Sequence, residues 1–296
     1  FANNFIKRAT LPTVSPWMSH VSNTWQNSES KILSDDALKD WQTANEVKLV
    51  TDGEGNVKIL LVSAPAEHEI AFIDWITFSF KRYTFNDDYI GLDESLINDV
   101  CIERMGQKLD EIFGFKVGQK RKNGKNFYEQ CYEITNHEGV GVGDLCIGGQ
   151  NNTMLVMLSG QGCLMGDYGW QERLHTFLRY ANGAKITRLD LAHDDYDGTY
   201  LDIDDLNERE TEGQFYYFGK PARVTWYGDW KYLDRDKLGR TLQIGCRTSD
   251  KLLRAYEKGK QLGDKNSLWV RLEVELKAKH THIPFDAVIN PSAYFI

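Results

Sequence analysis

Apolar and polar positions alternate with period two along several stretches, as half-buried strands require. The cleanest is residues 269–277, which puts Arg271, Glu273 and Glu275 on one face and Val270, Leu272, Val274 and Leu276 on the other. Residues 70–80 give the strongest strand of the first half, with Asp74, Ile76 and Phe78 sharing a face. In residues 186–195, Arg188, Asp190, Ala192 and Asp194 alternate with Leu189, Leu191 and His193. Residues 241–249 and 251–259 read as strand, turn and strand, with Arg254, Tyr256 and Lys258 together on one side. A hairpin is expected over 46–63 around the glycine-rich 52–56, and further strands over 127–135, 139–149 and 153–158, with a tight turn at 148–152. Helical spacing appears over 93–113, 170–180 and the acidic 201–213, which Asp202 or Asp204 would open. Residues 34–38 look like a helix start, with Trp41 one turn beyond Leu38. Residues 159–163 form a glycine-rich loop without the Lys and Ser/Thr of a phosphate-binding loop.

A chain of 296 residues holds one large or two ordinary domains. The connector at 65–69 divides it into an accessory segment, 1–68 (helix plus hairpin), and a main domain, 69–296. The chain has no run of 18 apolar residues, so no membrane span or membrane partner is expected, and no basic-then-apolar leader opens it. Five scattered cysteines without a CxxC pair fit free thiols in a reducing cytoplasm. A net charge of −8 argues against non-specific coating of nucleic acid. It leaves room for a site-specific DNA enzyme whose carboxylates hold a metal. The cations are also clustered: Lys116, Lys120, Arg121, Lys122 and Lys125 follow one another with no acid between them.

The chemistry-bearing residues each admit two readings. Tyr256 between two cations is placed to attack a phosphate, the cations neutralising phosphate oxygens and favouring the phenolate. A solvated basic face on an edge strand has the same pattern. Asp74 inside an apolar run needs a partner or a metal, unless it caps the strand end near solvent. Asp190 and Asp194 lie roughly 13 Å apart on an extended strand and share one ion only if it bends. Asp190 could instead pair with Arg188. Glu273 is a second carboxylate source or part of a solvated face. The aromatics and cations of 215–230 suit stacking on unpaired bases or ordinary strand packing. His280 and His282 mimic a metal pair but lack a third ligand and are read as surface.

Five blocks in this order, 72–77, 186–194, 245–249, 253–259 and 269–275, resemble the replication initiation factor family. These are rolling-circle initiators of filamentous phages and small plasmids, akin to relaxases of some integrative elements. The Thr187-Arg188-Leu189-Asp190-Leu191-Ala192 and Arg254-Ala255-Tyr256-Glu257-Lys258 blocks carry most of the likeness, which covers about residues 70–280. It implies an α+β, HUH-like fold: a central, mostly antiparallel sheet with helices on one face, built from two similar strand-helix-strand halves. It also implies a nickase and ligase acting on single-stranded or hairpin origin DNA, in which a tyrosine becomes joined to a 5′-phosphate. Tyr256 matches that tyrosine; Tyr196 and Tyr232 lie in no matching motif. On this reading Asp190 and Glu273, then Asp74 and Asp194, are the expected ligands of Mg²⁺ or Mn²⁺. Arg254 and Lys258 would steady the transition state, and Arg188, Arg247 and the 116–125 cations would contact DNA. A host helicase and a second copy of the chain are candidate partners, in the cytoplasm of a bacterial host. A hydrolytic nuclease using the same carboxylates and a non-catalytic origin-binding regulator are the alternatives.

Overall fold

The computed structural model describes residues 43–51, 57–65, 69–88, 93–216, 220–228, 230 and 239–295. The expected helix start at 34–38, the turn at 52–56, and Tyr217, Phe218, Lys231 and Tyr232 lie outside them.

Strands β1 (Thr43–Thr51) and β2 (Val57–Pro65) form the expected hairpin as a sheet of their own. The other ten strands make one sheet, antiparallel throughout. In chain order they are β3 (Phe72–Lys81), β4 (Lys116–Lys120), β5 (Gln130–Thr135), β6 (Gly141–Ile147) and β7 (Thr153–Leu158). There follow β8 (Lys185–Asp195), β9 (Val224–Tyr227), β10 (Thr241–Ile244), β11 (Lys251–Glu257) and β12 (Val270–Lys277). Their order in space is β4-β5-β6-β7-β3-β8-β12-β11-β10-β9.

That order is two copies of one plan. A lead strand (β3 or β8) is followed by a helix, α1 (Glu94–Phe113) or α4 (Ile203–Thr211), and by four antiparallel strands. The last of the four returns to pair with its own lead strand, and the two lead strands pair with each other at the centre. The central pairs Trp75–Asp190 and Thr77–Arg188 exchange under the implied two-fold, so Thr77 and Asp190 hold equivalent places. The first half also carries α2 (Gly160–Met165) and α3 (Trp170–Tyr180); the second has a short α5 (Lys258–Gln261) and ends in two 3₁₀ turns.

One face of the sheet is covered. Ile76, Phe78, Leu189, Leu191, Val274, Leu272, Ala255 and Leu242 form a single core with Met105 and Leu109 of α1, Leu174 and Leu178 of α3, and Ile203 and Leu206 of α4. Helix α4 starts as its sequence demands: the Asp202 carboxylate accepts from Asp204 N at 2.7 Å and so caps the first turn. Helix α1 stops at Gly114, whose φ of 71° only glycine adopts without strain.

Three local expectations are corrected. Residues 159–163 are not a loop: Ser159 Oγ accepts from Gly162 N at 3.2 Å and caps α2. Residues 127–129 lie outside β5, which starts at Gln130. Finally, β11 ends at Glu257, so Lys258 does not continue the strand face of Arg254 and Tyr256 but opens α5. The cause is local. Glu257 turns inward to receive Arg240 N at 2.8 Å and Arg240 Nη2 at 3.0 Å, and Gly259 sits where a Cβ would strike Ser267 Oγ.

Candidate active site

The face opposite the helices carries the charges. Register fixes which side chains share it: Gln243 stands opposite Arg254, Arg254 opposite Glu273, Glu275 opposite Asp190, Arg271 opposite Asp194, and Tyr256 opposite Arg271. Asp190, Arg271, Glu273 and Glu275 are all at most 6% exposed, so the face of β12 is no solvated surface. Buried charges persist only when paired, and these form two adjoining groups.

In the first group Arg188 grips Asp190 bidentately, Nε to Oδ1 at 2.8 Å and Nη2 to Oδ2 at 2.5 Å, while its guanidinium lies 4.9 Å over the Trp75 ring. Arg254 Nη2 donates to Glu273 Oε1 and lies 3.3 Å from Glu275 Oε2 and 3.7 Å from Asp190 Oδ2. Lys277 closes on Glu275 from the rim. Burial pushes the Asp190 carboxyl up to about 7; Arg188 opposes that, while Glu273 and Glu275 reinforce it.

In the second group Arg271 holds Asp194 through Nε at 2.7 Å and Nη2 at 2.6 Å, and reaches Asp74 Oδ1 with Nη1 at 2.8 Å. Trp269 Nε1 adds a bond to Asp194 at 2.7 Å. Asp74 reaches this group because β3 bulges there: Ile73 faces Leu191 and Trp75 faces Asp190, leaving Asp74 as the extra residue aimed out of the ladder. Gly160 makes room, since a Cβ there would lie 2.9 Å from both Asp74 O and Oδ1. Burial raises the Asp74 carboxyl against the pull of Arg271.

Tyr256 joins the groups. Its hydroxyl donates to Glu273 Oε2 at 3.2 Å, and Lys258 Nζ, although it has left the strand, lies 5.7 Å from the ring centroid. The expected easing of phenol ionisation by two cations is corrected. Burial pushes this phenol above its ordinary value, Arg271 opposes, and Glu273, Asp74 and Asp194 add to the rise. Burial also lowers the Lys258 ammonium. In the chain as it stands the hydroxyl keeps its proton, and Glu273 is the group that would accept it.

The candidate ligands therefore divide. Asp190 and Glu273 come together as expected, with Glu275 as a third carboxylate that the reading of single residues passed over; its position two residues after Glu273 on one strand face was the available signal. Asp194 does not join Asp190: β8 stays in register with β12 from Arg188 to Asp195 and does not bend, and the Asp194 oxygens are taken by Arg271 and Trp269. Among the described residues, no three acids, histidines or cysteines close on one point as a ready cage. The donor set nonetheless fits a hard divalent ion, because oxygens of three carboxylates surround one nitrogen, Arg254 Nη2. Arg254 is incompletely held there: its Nε is buried with no hydrogen-bond partner among the described residues.

The expected DNA contacts are dispersed. Lys116, Lys120, Arg121, Lys122 and Lys125 are all exposed at the far edge of the first half. Arg121 and Lys125 are paired with Asp144 at 2.9 and 2.5 Å, which lessens the continuous basic ridge the sequence suggested. Arg247 lies exposed in the β10–β11 turn, at the other end of that hairpin from Tyr256. Trp226 and Tyr227 are exposed on the edge strand β9. His280 and His282 are exposed, as expected. The β1–β2 hairpin reaches the site's border, where Val62 packs with Trp269 and Tyr196 donates to Ser63 O at 3.1 Å.

The fold is thus α+β, one antiparallel sheet made of two similar halves, with a tyrosine set among buried carboxylates and guanidiniums on its open face. Residues 184–295, which include Asp190, Tyr256 and Glu273, match the family described as replication initiation factor. A solved rolling circle replication initiator protein from Geobacillus stearothermophilus has the same fold with a TM-score of 0.53 and 25% identity, over 75% of this chain and 79% of that one. A search of curated proteins gave no match. The resemblance read from the sequence is thus found in sequence over the second half and in fold over three quarters of the chain.

Proposed function

We propose that this chain initiates rolling-circle replication by nicking and rejoining one strand at an origin, with Tyr256 as nucleophile. The observation that carries the reading is the Tyr256–Glu273 hydrogen bond inside a buried array of Asp190, Glu275, Arg254 and Arg188. Tyr256 Oη attacks the scissile phosphorus and gives its proton to Glu273. The bond from phosphorus to the 3′-oxygen breaks, the 3′-oxygen leaves and takes up a proton, and the 5′-phosphate stays on the tyrosine. That link retains the energy of the broken bond, so reversal by a 3′-hydroxyl reseals the strand. Asp190, Glu273 and Glu275 are the residues we assign to a Mg²⁺ or Mn²⁺ ion, with Asp74 adjoining. When bound, such an ion would offset charge on the phosphate. Arg254 and Lys258 face the developing negative charge. Arg271 and Asp194 position Asp74 and the rim below Tyr256. A host helicase would then unwind the duplex from the nick in the bacterial cytoplasm.

One observation favours a second reading. The raised phenol would suit a hydrolytic nuclease in which water attacks and Tyr256 only stacks. Incubation with supercoiled or single-stranded origin DNA and Mg²⁺, followed by a denaturing gel and peptide mapping, separates the two. An adduct on Tyr256, lost in Tyr256→Phe and with chelator, supports the first. Nicking without adduct that survives Tyr256→Phe supports the second. Binding with neither leaves a non-catalytic origin binder.

A further inference from the structure

The most exposed large apolar side chain among the described residues is Phe127, at 93%. It stands on the loop between β4 and β5 with φ of +66°, next to Asn126 at +52°. A left-handed backbone is disfavoured for a bulky residue, so something must hold it there. The holders lie on both sides. Tyr128 is buried, its hydroxyl 2.6 Å from Thr153 Oγ1, and its N–H closes a turn onto Lys125 O. Asn126 O accepts from Gln150 Nε2 at 3.1 Å, and Asn126 Nδ2 lies 3.0 Å from Met157 Sδ. Gln150 itself belongs to a second left-handed turn, residues 148–152, where every φ is positive. Two strained turns are thus tied together, and their product is a ring thrust outward. No aromatic or cation contact to that ring occurs among the described residues. Collapse of Phe127 onto the protein would relieve both exposure and strain, yet the fold prevents it.

The surroundings indicate an occupant. Lys122 is exposed two residues before Gly124 and has no ion pair among the described residues; Lys120 meets no carboxylate among them, its Nζ donating to the neutral Gln130 at 2.8 Å and lying 5.6 Å from the Tyr132 ring centroid. Cations on the same connection as a projecting aromatic suit a nucleobase with its phosphates. Phe127 lies six strand spacings from Tyr256 across the sheet, roughly 30 Å, and also at the opposite end along the strands, so the two are well over 30 Å apart.

We infer that Phe127 is a stacking wedge for a base at the junction of duplex and unpaired DNA, at the end of the sheet remote from Tyr256. The inference rests on the DNA-processing reading above and adds to it a contact outside the 184–295 region that matches the family.

The test uses the full chain and two fluorescent probes at fixed low salt: a hairpin with a ten-base-pair stem and a single-stranded arm, bearing 2-aminopurine at the junction, and a blunt duplex of the same stem. In Phe127→Ala the ratio of hairpin to duplex affinity should fall about tenfold, and the 2-aminopurine signal seen with wild type should vanish. Phe127→Trp should restore both. Phe127→Gly should lose the preference while raising the melting temperature by about 2 °C, because glycine removes the strain. Equal hairpin-to-duplex ratios for wild type and Phe127→Ala would overturn the wedge. If wild type binds neither probe and Tyr256→Phe changes nothing on origin DNA, the DNA reading itself fails, and the wedge with it.

Discussion

The two halves of the sheet place different chemistry on the same scaffold. Where β12 presents Glu273 and Glu275 beside Asp190, the equivalent strand β7 presents Leu155 and Met157 beside Thr77. Where β11 presents Arg254, β6 presents Cys146, paired with Cys131 on β5. In the first half these residues, with Tyr128 and Trp75, make a small apolar cluster; in the second the same ground is a lattice of buried ions. One half closes the open face with apolar packing, which needs no partners. The other holds charge out of water, which is stable only as a complete set and is useful where a phosphate must be met. The fold therefore does not dictate the site, since the same backbone accommodates both solutions.

Transplanting one solution onto the other tests this. Glu273→Leu, the residue of the first half, should lower origin nicking by about 10³-fold and destabilise the chain by about 2 kcal/mol, because Arg254 loses its hydrogen-bonded carboxylate and keeps only the longer contacts to Glu275 and Asp190. Adding Arg254→Cys should recover most of the stability, read by denaturant unfolding, and none of the activity. If the double variant is no more stable than the single, the array is not behaving as paired charge. The reverse graft, Leu155→Glu, places a lone carboxylate in the apolar cluster and should cost about 2–3 kcal/mol. A smaller loss would mean that half tolerates charge as well.

A pH effect of intermediate size sharpens the contrast. Burial raises the Asp190 carboxyl from 3.8 to about 7. Between those values the folded chain keeps a proton that the unfolded chain has released. This group's contribution to stability is therefore fully present below about pH 4 and declines as pH rises to about 7. Unfolding in chelator across that range should show the decline in wild type and less of it in Asp190→Asn. Parallel curves would show that Arg188 keeps Asp190 ionised throughout. The smallest effect belongs to the far edge: Lys122→Ala should weaken DNA binding severalfold and reduce the salt slope by about one. An unchanged slope would place the phosphates elsewhere.

Much of this was legible in advance for a physical reason. Period-two alternation marks β3, β8, β11 and β12 directly, and it set Asp190, Arg254, Tyr256 and Glu273 on faces that the register then brought together. What stayed hidden depended on events between strands. The bulge at Asp74 is a mismatch between β3 and β8 and leaves no trace in β3 alone. Arg271 was read as part of a face, yet its role comes from reaching Asp74 and Asp194 on two other strands. Lys258 was placed on the strand because its spacing allows it; the end of β11 is decided by Glu257 meeting Arg240, 17 positions earlier. The raised phenol of Tyr256 likewise reflects burial that a local pattern of cations does not reveal.

The central pairing of β3 with β8 also bears on how the chain assembles. Each lead strand must wait for the last strand of its own half, so β3 is completed only when β7 has been made, and β8 only when β12 has. In the interval before β8 emerges from the ribosome, one long edge of β3 stands open, carrying the Phe and Ile residues of 72–80. Such an edge templates association with other chains. A fragment ending between residues 158 and 185 would keep that edge permanently, and self-association during synthesis is a hazard the duplicated architecture carries until its middle seam closes.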